Sequence, residues 1–304
     1  MWVFINIILN IIIPIFLLIA TGFIAQKALR MDLRTIVKIN IYIFIPSLLF
    51  NNLYETNATW ELFSTIAVYI AIVCLSMFLL GEFLAKILKY PRGIKRAFIN
   101  SLLFFNSGNY GLAVVELAFP HNPLAITVQI FILLIQNITA NTIGVFSASS
   151  GKKDYKEALK NVLVMPSLYV LLLVTLIKVL GITVPEIIMI PIRNISDGFV
   201  AVALMSLGIQ LAEVKLNFNL RDVFPPTFIR LVLAPIIGLF LVRLMGIDGI
   251  LAKTMILGVA TPSSVTTAII AKEFDNEPEY AARIVFITTL LSTITISSII
   301  FLLN

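Results

Sequence analysis

Long, predominantly apolar segments constrain this chain more than any other feature of its sequence. The stretch from Trp60 to Leu80 is one example, and several others are as long. A membrane-spanning strand needs only about 10 residues of alternating character, whereas a spanning helix needs about 20 apolar ones. With 60% hydrophobic and 12% charged residues, the 304-residue chain also has too few polar side chains to cover a water-soluble globule. We therefore expect an all-α polytopic membrane protein.

Apolar runs bounded by charged residues, proline or glycine predict ten transmembrane helices. The expected limits are 3–26, 36–53, 60–85, 96–119, 123–149, 160–181, 187–212, 225–245, 250–271 and 280–303. The seventh is the least regular, because it carries Arg193 and Asp197.

Basic residues are concentrated in every second connection between the predicted spans. Basic residues follow the first, third and fifth spans, and the connections after the second, fourth and sixth spans hold none. Because cytoplasmic loops carry the excess of positive charge, both termini should lie outside a cell membrane and the central hinge, 150–160, in the cytoplasm. The net charge of +6 is scattered between apolar spans and is not gathered on one face, so we expect no nucleic-acid partner.

The hinge divides the chain into two units of five spans, 1–149 and 161–304. An odd number of spans inserts the second unit upside down relative to the first, so we expect two inverted five-helix repeats. The fourth and ninth spans share a pattern: "RAFINSLLFFNSGNYGLAVVELAFP" begins at Arg96, and "KTMILGVATPSSVTTAIIAKEFD" begins at Lys253. Each has an apolar lead, a polar break and a second apolar piece.

The two polar breaks are expected at the same depth. Asn106 is ten residues after Arg96 and Pro262 is nine after Lys253, which places both about 15 Å into a hydrocarbon layer roughly 30 Å thick. Glycines in the first break and Pro262 in the second disfavour a continuous helix, so helices 4 and 9 should be broken and should cross.

The broken helices suggest a mechanism. Half-helices that begin near Leu112 and Val265 would direct unpaired amide donors towards the centre, which favours an anion. The half-helices that end there offer carbonyl groups, which favour a cation or a substrate donor.

These features resemble those of the auxin efflux carrier family, which also includes bacterial malonate and malate permeases and belongs with the bile-acid and arsenite transporter superfamily. The similar stretches are "ATPSSVTTAIIAKEFDNEPEYAARIVFITTLLS" at 260–292, "NIYIFIPSLLFNN" at 40–52 and the break at 106–111. The resemblance implies ten helices in two inverted repeats, both ends outside, and a substrate site where helices 4 and 9 cross. Plant carriers have proline in the first break, where this sequence has Gly108 and Gly111, and the short hinge does not support auxin as substrate.

The candidate substrate-binding residues come from the two breaks and from the polar stripe of the fifth span. They are Asn106, Ser107, Gly108, Asn109, Tyr110, Gly111, Thr261, Pro262, Ser263, Ser264, Asn137 and Asn141. For the stripe, hydrogen bonding between helices and contribution to a central cavity remain equal alternatives. The hydroxyl-rich tenth span is interpreted as a packing face.

Four charged residues within the spans are further candidates. Glu116 is either a proton or cation site, or a carboxylate that caps its own half-helix or faces the aqueous outer end. For Arg193 an ion pair with Asp197, four residues on, is favoured over contact with a substrate anion. Arg230 and Lys178 are expected to extend towards an interface.

The sequence thus predicts a secondary transporter of a small organic anion, a mono- or dicarboxylate, that works by alternating access. The alternatives are a sodium-coupled bile-acid-type symporter and, less favoured, a channel, a receptor or an intramembrane enzyme. An enzyme would have to use the single histidine, His121, in a short connection, or the pair Glu116 and Asp197. We expect no cofactor, H⁺ or Na⁺ as the coupling ion, and the substrate anion and the bilayer as partners; a homodimer is left open.

Overall fold

A computed structural model of the protein describes residues 2–56, 58–120, 122–148, 163–214 and 220–303, without the side chains of Leu220 and Arg221. Throughout these ranges the regular structure is helical, and extended pairing is confined to one bridge between Phe105 and Ser263. The expected all-α fold is therefore confirmed. The predicted hinge, 150–160, and His121 lie outside the described residues.

The described residues form twelve helices, which we number in chain order. They are α1 Trp2–Leu29, α2 Leu33–Glu55, α3 Trp60–Ile87, α4 Arg92–Leu103, α5 Ala113–Ala118, α6 Pro123–Ala148, α7 Pro166–Val179, α8 Glu186–Ala212, α9 Asp222–Leu244, α10 Gly249–Val259, α11 Val265–Glu273 and α12 Pro278–Leu303.

Seven of these helices, α1, α2, α3, α6, α8, α9 and α12, are long and apolar enough to cross a membrane. Each coincides with one predicted span. The predicted spans 96–119 and 250–271 each consist of two shorter helices, α4 with α5 and α10 with α11, separated by a break. The described part of span 160–181 is α7. The division into ten spans and the inverted repeat remain predictions.

Three widened helical turns, in which the backbone bonds reach five residues instead of four, precede a proline. These turns are Ile8–Ile12, Asn40–Phe44 and Ile229–Leu233, and the prolines follow at positions 14, 46 and 235. Proline has no N–H and its ring crowds the preceding turn, so a wider turn lets the helix continue without losing its direction. Asn40 and Arg230, which lie in two of these turns, both reach the centre of the protein.

Helices α1 and α8 approach closely at two glycines. A Cβ atom on Gly208 would lie 1.9 Å from the carbonyl oxygen of Ile19, and one on Gly22 would lie 2.0 Å from that of Met205. Any larger side chain would separate the two backbones. Small residues thus permit backbone-to-backbone packing between a helix of each predicted half, as is common inside membranes.

Candidate functional site at the crossing of two helix breaks

The break after α4 and the break after α10 are hydrogen-bonded to each other. The N–H of Asn106 donates to the Pro262 carbonyl at 2.8 Å, and the N–H of Ser264 donates to the Phe104 carbonyl at 2.9 Å. Phe105 and Ser263 face each other between these bonds as an antiparallel pair. The breaks therefore cross, and each supplies partners for backbone groups that no helix serves.

The remaining N–H groups of the facing pair are bound by side chains from two long helices. The N–H of Phe105 donates to Oε1 of Gln136 in α6 at 3.3 Å, and that of Ser263 donates to Oγ1 of Thr288 in α12 at 3.2 Å. Phe105, Ser263, Gln136 and Thr288 are all buried. Polar residues of the fifth and tenth predicted spans thus support the breaks directly.

A break residue also caps the helical segment that follows each break. Oδ1 of Asn106 accepts from the N–H of Tyr110 at 3.3 Å, within a widened turn, Ser107–Leu112, that continues into α5. Oγ of Ser264 accepts from the N–H of Thr266 at 3.2 Å at the start of α11. Such caps hold the first free N–H groups of a helix in place.

Arg230 of α9 is completely buried at the crossing. Its guanidinium donates to the carbonyls of Leu102 at 2.9 Å and Thr261 at 3.1 Å, and also to that of Val259. Its central carbon lies 4.8 Å from the centre of the Phe105 ring. The expectation that Arg230 extends to an interface is therefore wrong, because unpaired carbonyls at the ends of two helices satisfy it inside the protein.

A cavity of about 560 Å³ lies beside the crossing, bounded by α2, α6, α7, α8, α11 and the first break. It brings together these predicted site residues: Asn106, Ser107, Gly108, Asn109, Asn137, Asn141 and Ser264. The sequence did not point to four other polar residues that line it: Asn40, Ser167, Gln210 and Thr266. None of the described lining residues is charged.

Amide groups dominate the polar chemistry of the cavity. Nδ2 of Asn40 donates to Oδ1 of Asn109 at 2.9 Å, which ties α2 to the first break. Nδ2 of Asn106 is a buried donor that finds no partner within the described residues, and Oδ1 of Asn40 and Oε1 of Gln210 are acceptors in the same condition. Buried polar groups normally have partners, so these three atoms have hydrogen-bonding capacity that the described residues do not use.

Five predicted site residues lie behind the cavity wall: Tyr110, Gly111, Thr261, Pro262 and Ser263. The Tyr110 hydroxyl bonds with that of Ser292 at 2.9 Å, and the Ser263 hydroxyl donates to the Ser101 carbonyl at 2.8 Å. Gly111 leaves room for Gln129, whose Nε2 donates to the Ser107 carbonyl at 2.7 Å. These residues hold the first break and the crossing in shape.

The two charged candidates lie away from the cavity lining. Glu116 is half-buried in α5. Arg193 forms ion pairs with Glu186 at 2.8 Å and with Glu55 at 3.7 Å, at the opposite end of α2 from Asn40. The expected ion-pair role of Arg193 is therefore met by residues other than Asp197.

One sequence signal could have revealed Asn40 and Arg230. Each is a polar residue in an apolar span, five or six positions before a proline. Because proline widens the preceding turn, it displaces that residue from the regular helical face. Ser167 and Gln210 carry no comparable signal.

Comparison with known proteins places the chain in a family. The sequence profile of the family described as "Membrane transport protein" matches residues 7–162 and 155–300. An uncharacterized transporter of Methanocaldococcus jannaschii is 24% identical over 264 residues, which cover 84% of this chain and 85% of that protein. An uncharacterized transporter of Methanothermobacter thermautotrophicus is 22% identical over 269 residues, which cover 87% of each chain. The chain therefore belongs to the membrane transport protein family, that of the auxin efflux carriers, and is a multi-pass membrane transporter.

Proposed function

We propose that this transporter is a secondary carrier of a small organic anion, a mono- or dicarboxylate, and that it binds its substrate in the cavity beside the crossed breaks. The observation that carries the proposal is the cavity itself: a neutral, amide-lined space onto which two helical segments open at their N-terminal ends. Its volume of about 560 Å³ is within the usual range for small-molecule sites.

Three features favour an anion over a neutral or cationic substrate. The helical segment that begins at Ser107 and helix α11 both direct the positive ends of their dipoles at the cavity. Nδ2 of Asn106 adds an unpartnered donor. The positive charge of Arg230 lies behind Phe105, whose ring lines the cavity.

Alternating access by two inverted repeats is part of the proposal, and the contacts at the breaks support it. Phe105 and Gln136 in the first unit, 1–149, correspond to Ser263 and Thr288 in the second unit, 161–304. The capping residues Asn106 and Ser264 correspond in the same way. Equivalent contacts on either side of one crossing are expected when two related units can rock, or one can slide, around a fixed site.

The position of the cavity suggests which side it opens to. Its lining includes residues between 37 and 45 of α2, the first turn of α7 and residues between 133 and 141 of α6. These lie towards the N-terminal ends of α2 and α7 and the C-terminal end of α6, and the connections next to those ends are the basic ones. With the positive side in the cytoplasm and both termini outside, this conformation faces inward. Of the two possible coupling ions, we propose H⁺, carried by Glu116. The half-buried position of this carboxylate in α5 supports the assignment.

A pair of variants in α6 tests the site. Asn137 lines the cavity, whereas the hydroxyl of Thr139 donates to the carbonyls of Ile135 and Gln136 in its own helix. A hydrogen bond to a charged ligand contributes about 1.5–3 kcal/mol, so Asn137→Ala should weaken carboxylate binding about 10- to 100-fold. Thr139→Ala should leave the affinity unchanged.

The measurement is a thermal-shift titration of purified protein against malonate, malate and monocarboxylates, since a ligand stabilises the state that binds it. Counterflow of the radiolabelled hit in proteoliposomes then tests transport. The proposal fails if no carboxylate raises the unfolding temperature and none exchanges. If Asn137→Ala and Thr139→Ala bind the carboxylate with equal affinity, Asn137 does not contact the substrate and the binding site lies elsewhere.

A further inference from the structure

We propose that the guanidinium of Arg230 is a built-in cation that occupies the cation position of the crossing, so that no Na⁺ binds there. Transport readouts of this inference rest on the proposed function, whereas its stability readouts do not. The argument starts from the three carbonyl oxygens that the guanidinium binds.

These carbonyls are the ones that a helix leaves without partners. Leu102 and Val259 lie at the C-terminal ends of α4 and α10, and Thr261 lies in the break that follows α10. The last carbonyls of a helix have no intrahelical donor and carry the negative end of its dipole. In transporters with broken helices, such groups are the ones that coordinate Na⁺.

The charge balance at the crossing favours a single cation. Each helix end is equivalent to about −0.5 of an elementary charge, so the ends of α4 and α10 together offset about one positive charge. Arg230 is fully buried, and no carboxylate among the described residues forms an ion pair with it. Burying an uncompensated charge costs several kcal/mol, so the helix ends and the Phe105 ring are what make this position tolerable.

The shape of arginine suits this position. Its planar fork presents donors in fixed directions, and here three of its nitrogens reach carbonyls at the ends of α4 and α10 and in the break that follows α10. A lysine ammonium would bring the same charge to one point. Because the cation is attached to α9, it does not exchange with solution during transport, unlike a coupling ion.

The test compares Arg230→Ala with Arg243→Ala, a control in which an exposed arginine of the same helix is removed. Thermal unfolding of each purified variant is measured in choline chloride and after addition of low-millimolar guanidinium, Na⁺ or urea. Urea has the planar shape of guanidinium and four of its six N–H donors, with a carbonyl oxygen in place of the third amino group and no charge. We expect Arg230→Ala to unfold several degrees lower, and guanidinium but not urea to restore much of the loss. Wild type and Arg243→Ala should respond to none of the three additives.

Several results would overturn the inference. Equal rescue by urea would assign Arg230 a hydrogen-bonding role alone, and rescue by neither compound would mean that the carbonyls do not form a cation site. A Na⁺-specific stabilisation of the wild type that is lost in Arg230→Ala would place Na⁺ beside the arginine. If Arg230→Ala does not accumulate, Arg230→Lys and Arg230→Met are compared. Only the lysine variant should then accumulate, and equal yields would refute the role of charge.

A transport measurement separates this inference from the proposed function. Wild-type counterflow of radiolabelled malate should be equal in choline and sodium buffers. Counterflow that requires Na⁺ would overturn the inference and leave the carrier proposal intact. If no counterflow occurs in either buffer, the carrier proposal loses support, and the unfolding data alone decide the role of Arg230.

Discussion

Thr288 provides the most direct test of how the crossing is held together. Its hydroxyl accepts the N–H of Ser263 at 3.2 Å and donates to the Ile284 carbonyl in its own helix. Thr288 and Ser263 are both fully buried. The substitution Thr288→Val keeps the shape of the side chain and removes the only feature at issue, the hydroxyl.

The expected loss follows from the group that is left behind. The Ile284 carbonyl remains within its helix, but the N–H of Ser263, a fully buried residue, loses its described acceptor. An unsatisfied buried donor costs about 1–3 kcal/mol. At about 2 °C per kcal/mol for a protein of this size, the unfolding temperature should fall by about 2 to 6 °C.

Thr293→Val is the matched control on the same helix. The hydroxyl of Thr293 donates to the Leu290 carbonyl, and no donor relies on it among the described contacts. Thermal unfolding of the two variants in the same detergent should therefore differ, with Thr293→Val close to the wild type. The malonate and malate titrations on Thr288→Val show in addition whether loosening the second break changes ligand affinity.

The outcome that would contradict this account is equal unfolding temperatures for Thr288→Val and Thr293→Val. The bond at 3.2 Å would then contribute nothing measurable, and the other bonds at the crossing would be sufficient to hold it. A larger loss in Thr293→Val would be a stronger contradiction, since it would mean that α12 packs differently around the second break.

Two further perturbations probe the framework around the site. Gly208→Ala would put a Cβ 1.9 Å from the Ile19 carbonyl oxygen, so overpacking should cost about 1–3 kcal/mol and lower the unfolding temperature. Gly81→Ala, whose Cβ would meet flexible side-chain atoms at 3.2 Å, should change it less, and the reverse order would refute the predicted clash. The hydroxyl of Thr35 and the first N–H groups of α2 hold the pKa of Asp32 below its ordinary value of 3.8. The cap should therefore be intact above that value and be lost as the pH falls through the lowered pKa, which hydrogen exchange at the start of α2 would detect; protection that does not change with pH would contradict it.

Much of the fold could be predicted from local sequence. Apolar runs identified each of the seven long helices in the described part of the chain, because a backbone in lipid must satisfy its hydrogen bonds within its own segment. The breaks were also readable, since Pro262 and the glycines near Asn106 act on the turns next to them. The polar residues of the fifth and tenth predicted spans were visible as stripes, although the bonds of Gln136 and Thr288 to the breaks were not.

The details of the site depended on contacts between distant segments. Ser263 and Ser264 are adjacent and identical, yet one bonds to the Ser101 carbonyl and the other lines the cavity. Arg193 has a carboxylate four residues on, but its closest ion pair is with Glu186, seven residues before it. Neither outcome follows from helical spacing, because each depends on which surface the neighbouring helices leave open.

The amino-acid sequence by itself determined that this protein is helical and where two of its predicted spans are broken. These properties follow from hydrophobicity, backbone chemistry and residue order along one segment. Only the tertiary structure decided that the breaks bond to each other, that α2 and α7 complete the cavity and that Arg230 lies beneath it. The physical reason is that a buried arginine is tolerated only where partners for its charge and its donors converge. Here those partners are carbonyls from separate helices, and they converge only once the chain has folded.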